Sequence, residues 1–461
     1  MAAHSNMRDR TDWMNDVTSN DLPGPGKLEA IVQLALDEAA RLGVDQAEVA
    51  ASHDTGLSAT ARLGEVESLE YTNDRGVWIT VYRDRRKGSA STSETTPDAI
   101  REAVIKANSF ASLTAEDEHS GLADAELMCT ENRDLDLDHE WDIDASRAIA
   151  LAIECEAAAM AYDKRIKNSE GATVSSNRGL RAYGNSHGFV GSYPKSSHSI
   201  SCVVLGDTNG AMERDYHYSS ARDPSELEDA QSIGETAARR TVGRLGARKI
   251  QTTRVPVIYT PELARGFIGH AIGAITGSAQ YRRSSFLLNA AGEKIFPAFV
   301  NVQERPHLPK AMASTAYDAE GVATWDRDVF ADGVLQDYVL GSYSARRLGT
   351  KTTANAGGPQ NLIVPGNADD IDALLAAMGT GLLVEELIGQ GVNAVTGDYS
   401  RGAVGQWIKN GKIQHPVHEV TIAGNLRDLY QRIELIGNDQ DLRGGIRCGS
   451  LLVGEMTVAG A

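Results

Sequence analysis

The chain has 461 residues, 41% of them hydrophobic and 23% charged, with 45 glycines and only 6% aromatic residues. At about 150 residues per domain, this predicts two or three domains, with enough apolar material for separate cores that need neither disulfides nor metal. A net charge of −18 repels phosphate backbones and argues against direct nucleic-acid binding.

In chain order, Met1 to about Gly26 is polar, ends in Leu-Pro-Gly-Pro-Gly and lacks an apolar h-region, so residues 1–26 read as a disordered leader and not a signal peptide. Leu28, Ile31, Val32, Ala35, Leu36 and Ala39 then recur at helical spacing, with Gly43 as the stop. Val77 to Arg83 is rich in β-branched and aromatic residues and predicts a strand. The patch Arg83-Asp-Arg-Arg-Lys87 that ends it reads as a solvated strand end. Thr96 caps and Pro97 opens a second helix carrying Ile100, Ala103, Val104 and Ala107.

Residues 114–143 are acidic and patternless, which suits a surface connection. Ser146 to Tyr162 predicts an Ala-rich helix, followed by an antiparallel meander through Cys202 and Leu205 with turns at Asn177-Arg-Gly179 and Tyr183-Gly-Asn185. Ser225 to Leu245 predicts a helix capped by Asp223-Pro224 and ended by Gly246. The first half, residues 27–248 with possible subdomains 27–113 and 144–248, therefore reads as an α+β domain of helices packed on an antiparallel sheet.

The second half, residues 249–461, opens with a strand at Val255–Tyr259 and a helix from Pro261 to about Ile275. Short strands with turns at Asp332-Gly333 and Asn410-Gly411 come next, and only residues 368–388 read as a further helix. A β-rich domain of barrel or sandwich type is expected. No apolar run approaches the ~20 residues of a membrane span. The four cysteines, Cys129, Cys155, Cys202 and Cys448, lack C-x-x-C spacing and read as reduced thiols of a cytoplasmic protein.

Chemistry-bearing motifs are sparse. Gly184-Asn-Ser186-His-Gly188 matches G-x-S-x-G, but no helix can follow it, so Ser186 reads as part of a hairpin turn and not as a nucleophile. His415-Pro-Val-His418-Glu419 gathers two imidazoles and a carboxylate, yet Pro416 excludes a helix interior and a strand sends the two rings to opposite faces. H-E-x-x-H, P-loop and strand-linked G-x-G-x-x-G patterns are absent from the sequence.

Several long stretches nevertheless have the character of one family: Tyr281–Asn289, Leu340–Gly349, Met378–Leu382, Gly397–Gly402, Ile422–Leu426 and Cys448–Ser450, with weaker matches at Gly64–Ser68 and Lys87–Ser91. On these motifs the chain resembles the TldD/PmbA family, and within it the PmbA (TldE) branch, from about residue 30 to the end. The resemblance implies much that the residues alone do not. The family's active member, TldD, uses a helical H-E-x-x-x-H and a distant cysteine: two imidazoles and a thiolate hold zinc, and the glutamate takes a proton from its water. Histidines at i and i+5 lie roughly 140° apart on a regular helix, so that motif needs a widened, π-like turn.

Matched to this chain, the motif falls on Arg265-Gly266-Phe-Ile-Gly-His270, with Cys448 at the third-ligand position. Arg265 replaces a ligand and Gly266 replaces the base, so no catalytic residue and no metal is expected here, and His270 and Cys448 read as packed remnants. The resemblance thus implies a non-catalytic partner that pairs with a TldD-type, zinc-bearing paralogue around a chamber for unfolded peptides. Peptide-antibiotic maturation and antitoxin turnover are the implied tasks, with homodimers possible when the partner is missing. Two alternatives stand beside it: an autonomous metallopeptidase using His415, His418 and Glu419, and an indirect modulator of DNA gyrase.

Overall fold

The computed structural model describes residues 22–131 and 133–460. The leader expected at the N-terminus lies outside the described residues up to residue 21, and the first helix, α1 (Pro25–Arg41), starts two residues inside the stretch assigned to it. Gly43, at φ +67°, follows that helix as expected.

The first half is one six-stranded antiparallel sheet with helices on one face. Its strands are β1 (Gln46–Arg62), β2 (Glu65–Arg83), β3 (Arg86–Thr92), β4 (Ile166–Asn185), β5 (Val190–Thr208) and β6 (Ala211–Ala221), in the order β3-β2-β1-β4-β5-β6. Helices α1 and α2 (Pro97–Ala111) cover Val49, Ala51, Val77, Ile79 and Leu180. Helices α3 (Ala145–Tyr162) and α4 (Ala230–Arg244) cover Leu57, Ala59, Ala61, Val174 and Cys202. Residues 49, 51, 57, 59 and 61 share one parity along β1, so both helix pairs sit on the same face. The opposite face is paved with hydroxyls, such as Ser58 against Ser175 at 3.1 Å and Thr60 against Thr173 at 2.9 Å.

Residues 114–143 are more than a surface connection. Leu122, Ala123, Leu135, Leu137 and Ile143 are buried, and the Arg346 guanidinium donates to the carbonyls of His119, Gly121 and Leu122. The segment straps the first half onto the second. The helix expected from Ser225 starts later: Asp223 caps a 3-10 turn at Pro224–Glu226, and a second cap, Asp229, accepting from Ser232 N at 2.8 Å, opens α4.

The second half is built on β7 (Thr253–Tyr259), β12 (Gly381–Ile388), β13 (Asp398–Lys409), β14 (Lys412–Asn425) and β17 (Leu451–Ala459). Each pairs with the next in the cycle β7-β12-β13-β14-β17-β7, closing a five-stranded barrel. An odd ring cannot alternate direction throughout, and the one parallel pair is β7 with β12. Strand β15 (Ile433–Ile436) adds to β17, and a second small sheet comprises β8 (Val302–Glu304), β9 (Arg327–Ala331), β10 (Val334–Leu335), β11 (Leu362–Ile363) and β16 (Ile446–Arg447).

The helix expected over 368–388 is half right. Helix α8 (Ile371–Met378) stops at Gly379, φ +66°, and the remainder is strand β12. A Cβ on Gly381 would stand 2.3 Å from the Pro256 carbonyl oxygen, so glycine is what lets β12 enter beside β7. Short helices at Gly277–Tyr281, Ser342–Leu348 and Leu426–Gln431 have no counterpart among the sequence expectations, each being too short for a periodic stripe.

Candidate functional site

The stretch Arg265–His270, matched above to the family's motif, lies on α5 (Pro261–Ala274), which follows β7 directly. Pro261 at the first helical position and Thr260 O, accepting from Leu263 N and Ala264 N, start the helix. Ala264, Phe267, Ile268, Ala271 and Ile272 form its buried stripe. Phe267 is seated among Tyr259, Tyr399 and Tyr430 at centroid distances of 5.0, 5.9 and 5.2 Å, and the Tyr430 hydroxyl donates to Phe267 O at 3.0 Å. This packing fixes the direction of every other side chain on the helix. The helix is regular α from Pro261 to Ala274, so residues 265 and 270 project roughly 140° apart.

Arg265 points into an ion network. Its Nη1 lies 3.1 Å from Asp441 Oδ2, and its Nη2 donates to the Tyr218 hydroxyl at 3.2 Å. The buried Asp441 also accepts from Arg443 Nε at 2.8 Å and Arg443 N at 3.0 Å. Arg443 continues to Glu262 at 2.6 Å and lies over the Tyr218 ring at 4.2 Å. Glu262 meets Arg240 at 3.3 Å, Arg240 meets Asp215 at 3.4 Å, and Asp215 meets Arg244 at 2.7 Å. Arg244 ends the series on Glu386 of β12. Signs alternate along the whole chain, which ties α4 and β6 of the first half to α5, β12 and the 439–443 loop of the second.

Burial alone would raise the Asp441 carboxyl. The Arg443 hydrogen bonds, with the Arg443 and Arg265 charges, overcome that and hold it below the ordinary carboxylate range. Glu262 is held low in the same way, burial being outweighed by Arg240 and Arg443. A cleft of about 480 Å³ borders the network, lined by Glu262, Arg240, Arg443, Glu385 and His217, the last paired with Glu228 at 3.1 Å.

The other motif positions do not converge on a metal site. Gly266 is exposed and carries no side chain. The His270 ring stands edge-on to Tyr399 at 6.1 Å, and burial together with Arg401 depresses its imidazole. Cys448 is fully buried in the core cluster that holds Phe267 and Ile268, and burial, with a contribution from Asp439, pushes its thiol up to about 12. A zinc ligand must be a thiolate, a neutral imidazole or a carboxylate, and the ligands must aim at a shared point. A guanidinium bound to a carboxylate, a missing base and a protonated core thiol do not fit that group. Among the described residues, no three His, Cys, Asp or Glu side chains are grouped to hold a metal ion.

The remaining sequence candidates are dispersed. Ser186 sits in the β4–β5 turn, where its Oγ accepts from Ala47 N at 3.0 Å. His415 Nδ1 turns to Pro416 O, His418 faces Glu213 at 3.7 Å, and Glu419 pairs with Lys249 at 2.7 Å. Asp215, Arg240, Arg244, Asp441 and Arg443 are absent from the sequence candidates. One signal was available: Arg240 and Arg244 stand four apart on the stripe that carries Ala237 and Thr241, and cations on a buried stripe imply buried counter-ions.

Two helix glycines give opposite expectations for the same substitution. A Cβ on Gly234 of α4 would meet Cys155 O of α3 at 2.0 Å, so Gly234→Ala should destabilise by about 1–3 kcal/mol despite better helix propensity. Nothing lies within 4 Å of a Cβ on Gly266, so Gly266→Ala should stabilise by about 0.5–1 kcal/mol. Urea unfolding of the two variants checks the signs. Equal signs would contradict the packing described.

Comparison with known proteins agrees along most of the chain. Residues 47–111, 138–245 and 252–460 match the models of domain 1, the central domain and the C-terminal domain of the PmbA/TldA metallopeptidases. Metalloprotease PmbA of Escherichia coli O157:H7 is 47% identical over 433 residues, covering 94% of this chain and 96% of that protein. A Bacteroides thetaiotaomicron protein solved as a candidate modulator of DNA gyrase superposes with a TM-score of 0.90 at 28% identity, covering 94% of this chain and 99% of that one. TldE of Thermococcus kodakarensis shares the fold, with a TM-score of 0.80 at 19% identity over 94% of this chain and all of that one. The chain belongs to the PmbA/TldD family of metallopeptidases.

Proposed function

We propose that this chain is the non-catalytic subunit of a TldD/TldE-type zinc metalloprotease complex that acts on unfolded peptides in the cytoplasm. The observation that carries the reading is the engagement of Arg265. Where a metal ligand would stand, its guanidinium is ion-paired with the buried Asp441 and bonded to Tyr218. Gly266 beside it can neither accept nor donate a side-chain proton. The zinc, the base and the hydrolytic step then belong to a TldD-type paralogue. This chain supplies structure: the Arg265–Asp441 pair and the network behind it hold the helix, the barrel and the first-half sheet in one arrangement. The four unbridged cysteines suit a reducing compartment, and no helix among the described residues is long and apolar enough to cross a membrane.

Co-expression with the H-E-x-x-x-H paralogue of the same organism tests this reading. Co-purification and peptide cleavage, lost when either chain is omitted, is the expected outcome. A paralogue that is fully active without this chain would refute it. For the gyrase connection in the names of some structural neighbours, a net charge of −18 favours an indirect effect over contact with DNA.

A further inference from the structure

The outer edge of β5 is paired along only part of its length. From His198 onward it carries β6, whereas residues 190–197 pair with β4 alone. Ser196 marks which backbone groups point outward there. Its N–H donates to Leu137 O of the 114–143 strap at 2.9 Å, and its carbonyl accepts from Arg222 Nη1 at 2.9 Å. Directions alternate along an antiparallel strand, so Val190 and Ser192 also turn both backbone groups outward, and Pro194 its carbonyl. On the N-terminal side of Leu137 the strap leaves this edge, and the gap is a cleft of about 770 Å³, within the usual ligand range of about 300–1,000 Å³. Among the described residues, nothing bonds to the outward backbone groups of Val190, Ser192 or Pro194.

The two sides of the cleft differ. A Cβ on Gly191 would stand 3.0 Å from the rings of Phe189 and Tyr317, so these rings lie over the face to which Gly191 and Tyr193 point. Tyr193 packs on Tyr317 at 5.7 Å between centroids and extends that aromatic wall. Ser192 points the other way, where its Oγ donates to Glu29 of α1 at 2.6 Å. Charge is one-sided as well: Glu29, Glu131, Asp134, Asp136 and Asp138 line the cleft, with Arg133 as the one cation among the described lining residues. Arg178 takes up Asp138, Arg133 takes up Glu131, and His139 and Lys310 face Asp136. Glu29 and Asp134 have no cation partner among the described residues.

We propose that this cleft binds an extended peptide by β-addition to β5, with basic side chains at alternate positions facing Glu29 and apolar side chains between them facing Tyr193 and Tyr317. The walls select this occupant. A phosphate or a nucleic acid would meet carboxylates. A polyamine satisfies the acids but offers no carbonyl to the outward N–H groups of Val190 and Ser192. Residues 1–21 of this chain carry Asp9, Asp12, Asp16 and Asp21 against Arg8 and Arg10, and would add negative charge to negative charge. The inference deepens the reading above, giving a subunit without a catalytic site a place to grip substrate. The identification of the bound peptide as substrate rests on that reading, whereas the groove and its preference do not.

The test is fluorescence anisotropy of short labelled peptides on the purified full-length chain, without any second protein. A peptide of alternating valine and lysine should bind about tenfold or more tightly than one of alternating valine and glutamate, and added salt should weaken it. N-methylation of one alternate set of its amides should abolish binding and methylation of the other set should spare it, because only one set faces β5. Glu29→Gln keeps the acceptor for Ser192 and removes only charge. It should melt like wild type and weaken the valine–lysine peptide by about threefold or more. Equal binding of both methylated peptides, with displacement by spermidine, would mean capture of cations alone and overturns the pairing. Valine–glutamate binding as tight as valine–lysine, or unchanged affinity in Glu29→Gln, overturns the charge preference. A chain that binds none of these peptides overturns the groove and leaves the heteromeric reading, tested by co-purification, intact.

Discussion

Asp441→Asn should cost about 3 kcal/mol of stability, the lower end of the range for removing one partner of a buried ion pair. The carboxylate is buried and faces Arg265 and Arg443 together. Asparagine keeps the shape and leaves the two guanidiniums without their shared counter-charge. Arg443 retains Glu262, and Arg265 is partly open to solvent, which keeps the cost from rising further. The urea midpoint should fall without a change in slope. The pH dependence has a definite sign. The folded-state pKa of Asp441 is depressed, so its contribution is fully present above the ordinary carboxylate pKa of about 4 and is lost as pH falls through the depressed value. The gap between wild type and variant should therefore be constant near neutrality and close in acid. A variant within about 1 kcal/mol of wild type at neutral pH would show that the network holds no part of the fold together.

Arg265→His combined with Gly266→Glu restores the motif's letters and should still fail to create a tight zinc site. Helix α5 is regular, so the two histidines would project roughly 140° apart. The Cys448 thiol would have to ionise in an apolar core that pushes it up to about 12. The first side-chain atom is not the obstacle, since a Cβ at 266 meets nothing within 4 Å. Losing the Arg265 hydrogen bonds should cost about 1.5–3 kcal/mol, offset by about 1 kcal/mol from removing a helix glycine. Zinc affinity no tighter than about micromolar is expected. Stoichiometric zinc retained through dialysis would mean that the scaffold still adapts its helix to the metal.

The legible part of the sequence is local. Helices α1, α2 and α3 and the β7–α5 unit follow from capping residues and apolar periodicity, and the hairpins at Asp332-Gly333 and Asn410-Gly411 follow from their positive-φ requirement. Strand β1 is invisible in the sequence because four of its ten buried positions are alanine and four more are Ser52, His53, Thr55 and Gly56, leaving only Val49 and Leu57 as large apolar residues to give a β signal. Its partner, the 65–76 stretch of β2, offers only Val66, Leu69 and Tyr71 as apolar groups, all exposed, which is too weak an alternation to mark a strand. Barrel closure between β14 and β17 joins Thr421–Ala423 to Thr457–Ala459 through pairing that no local pattern encodes.

The site divides in the same way. Arg265, Gly266, His270 and Cys448 come from the family resemblance, and the chemistry of those residue types is enough to doubt a metal. That Arg265 is anchored by Asp441, and that the pair belongs to a relay reaching Glu386, requires the fold. Asp215, Glu262, Glu386 and Asp441 are brought together from four separate elements, and a single sequence carries no spacing rule for that. Arg265 is thus structural in its own right: bonded to Asp441 and to Tyr218 of β6, it fastens the second half of the chain to the first.

The most direct test of the silent-subunit reading is the zinc content and peptidase activity of the purified chain, measured alone and again after mixing with the TldD-type paralogue. Substoichiometric zinc and no cleavage are expected for the isolated chain, with activity appearing only in the complex. Near-stoichiometric zinc accompanied by cleavage from this chain alone would contradict that reading.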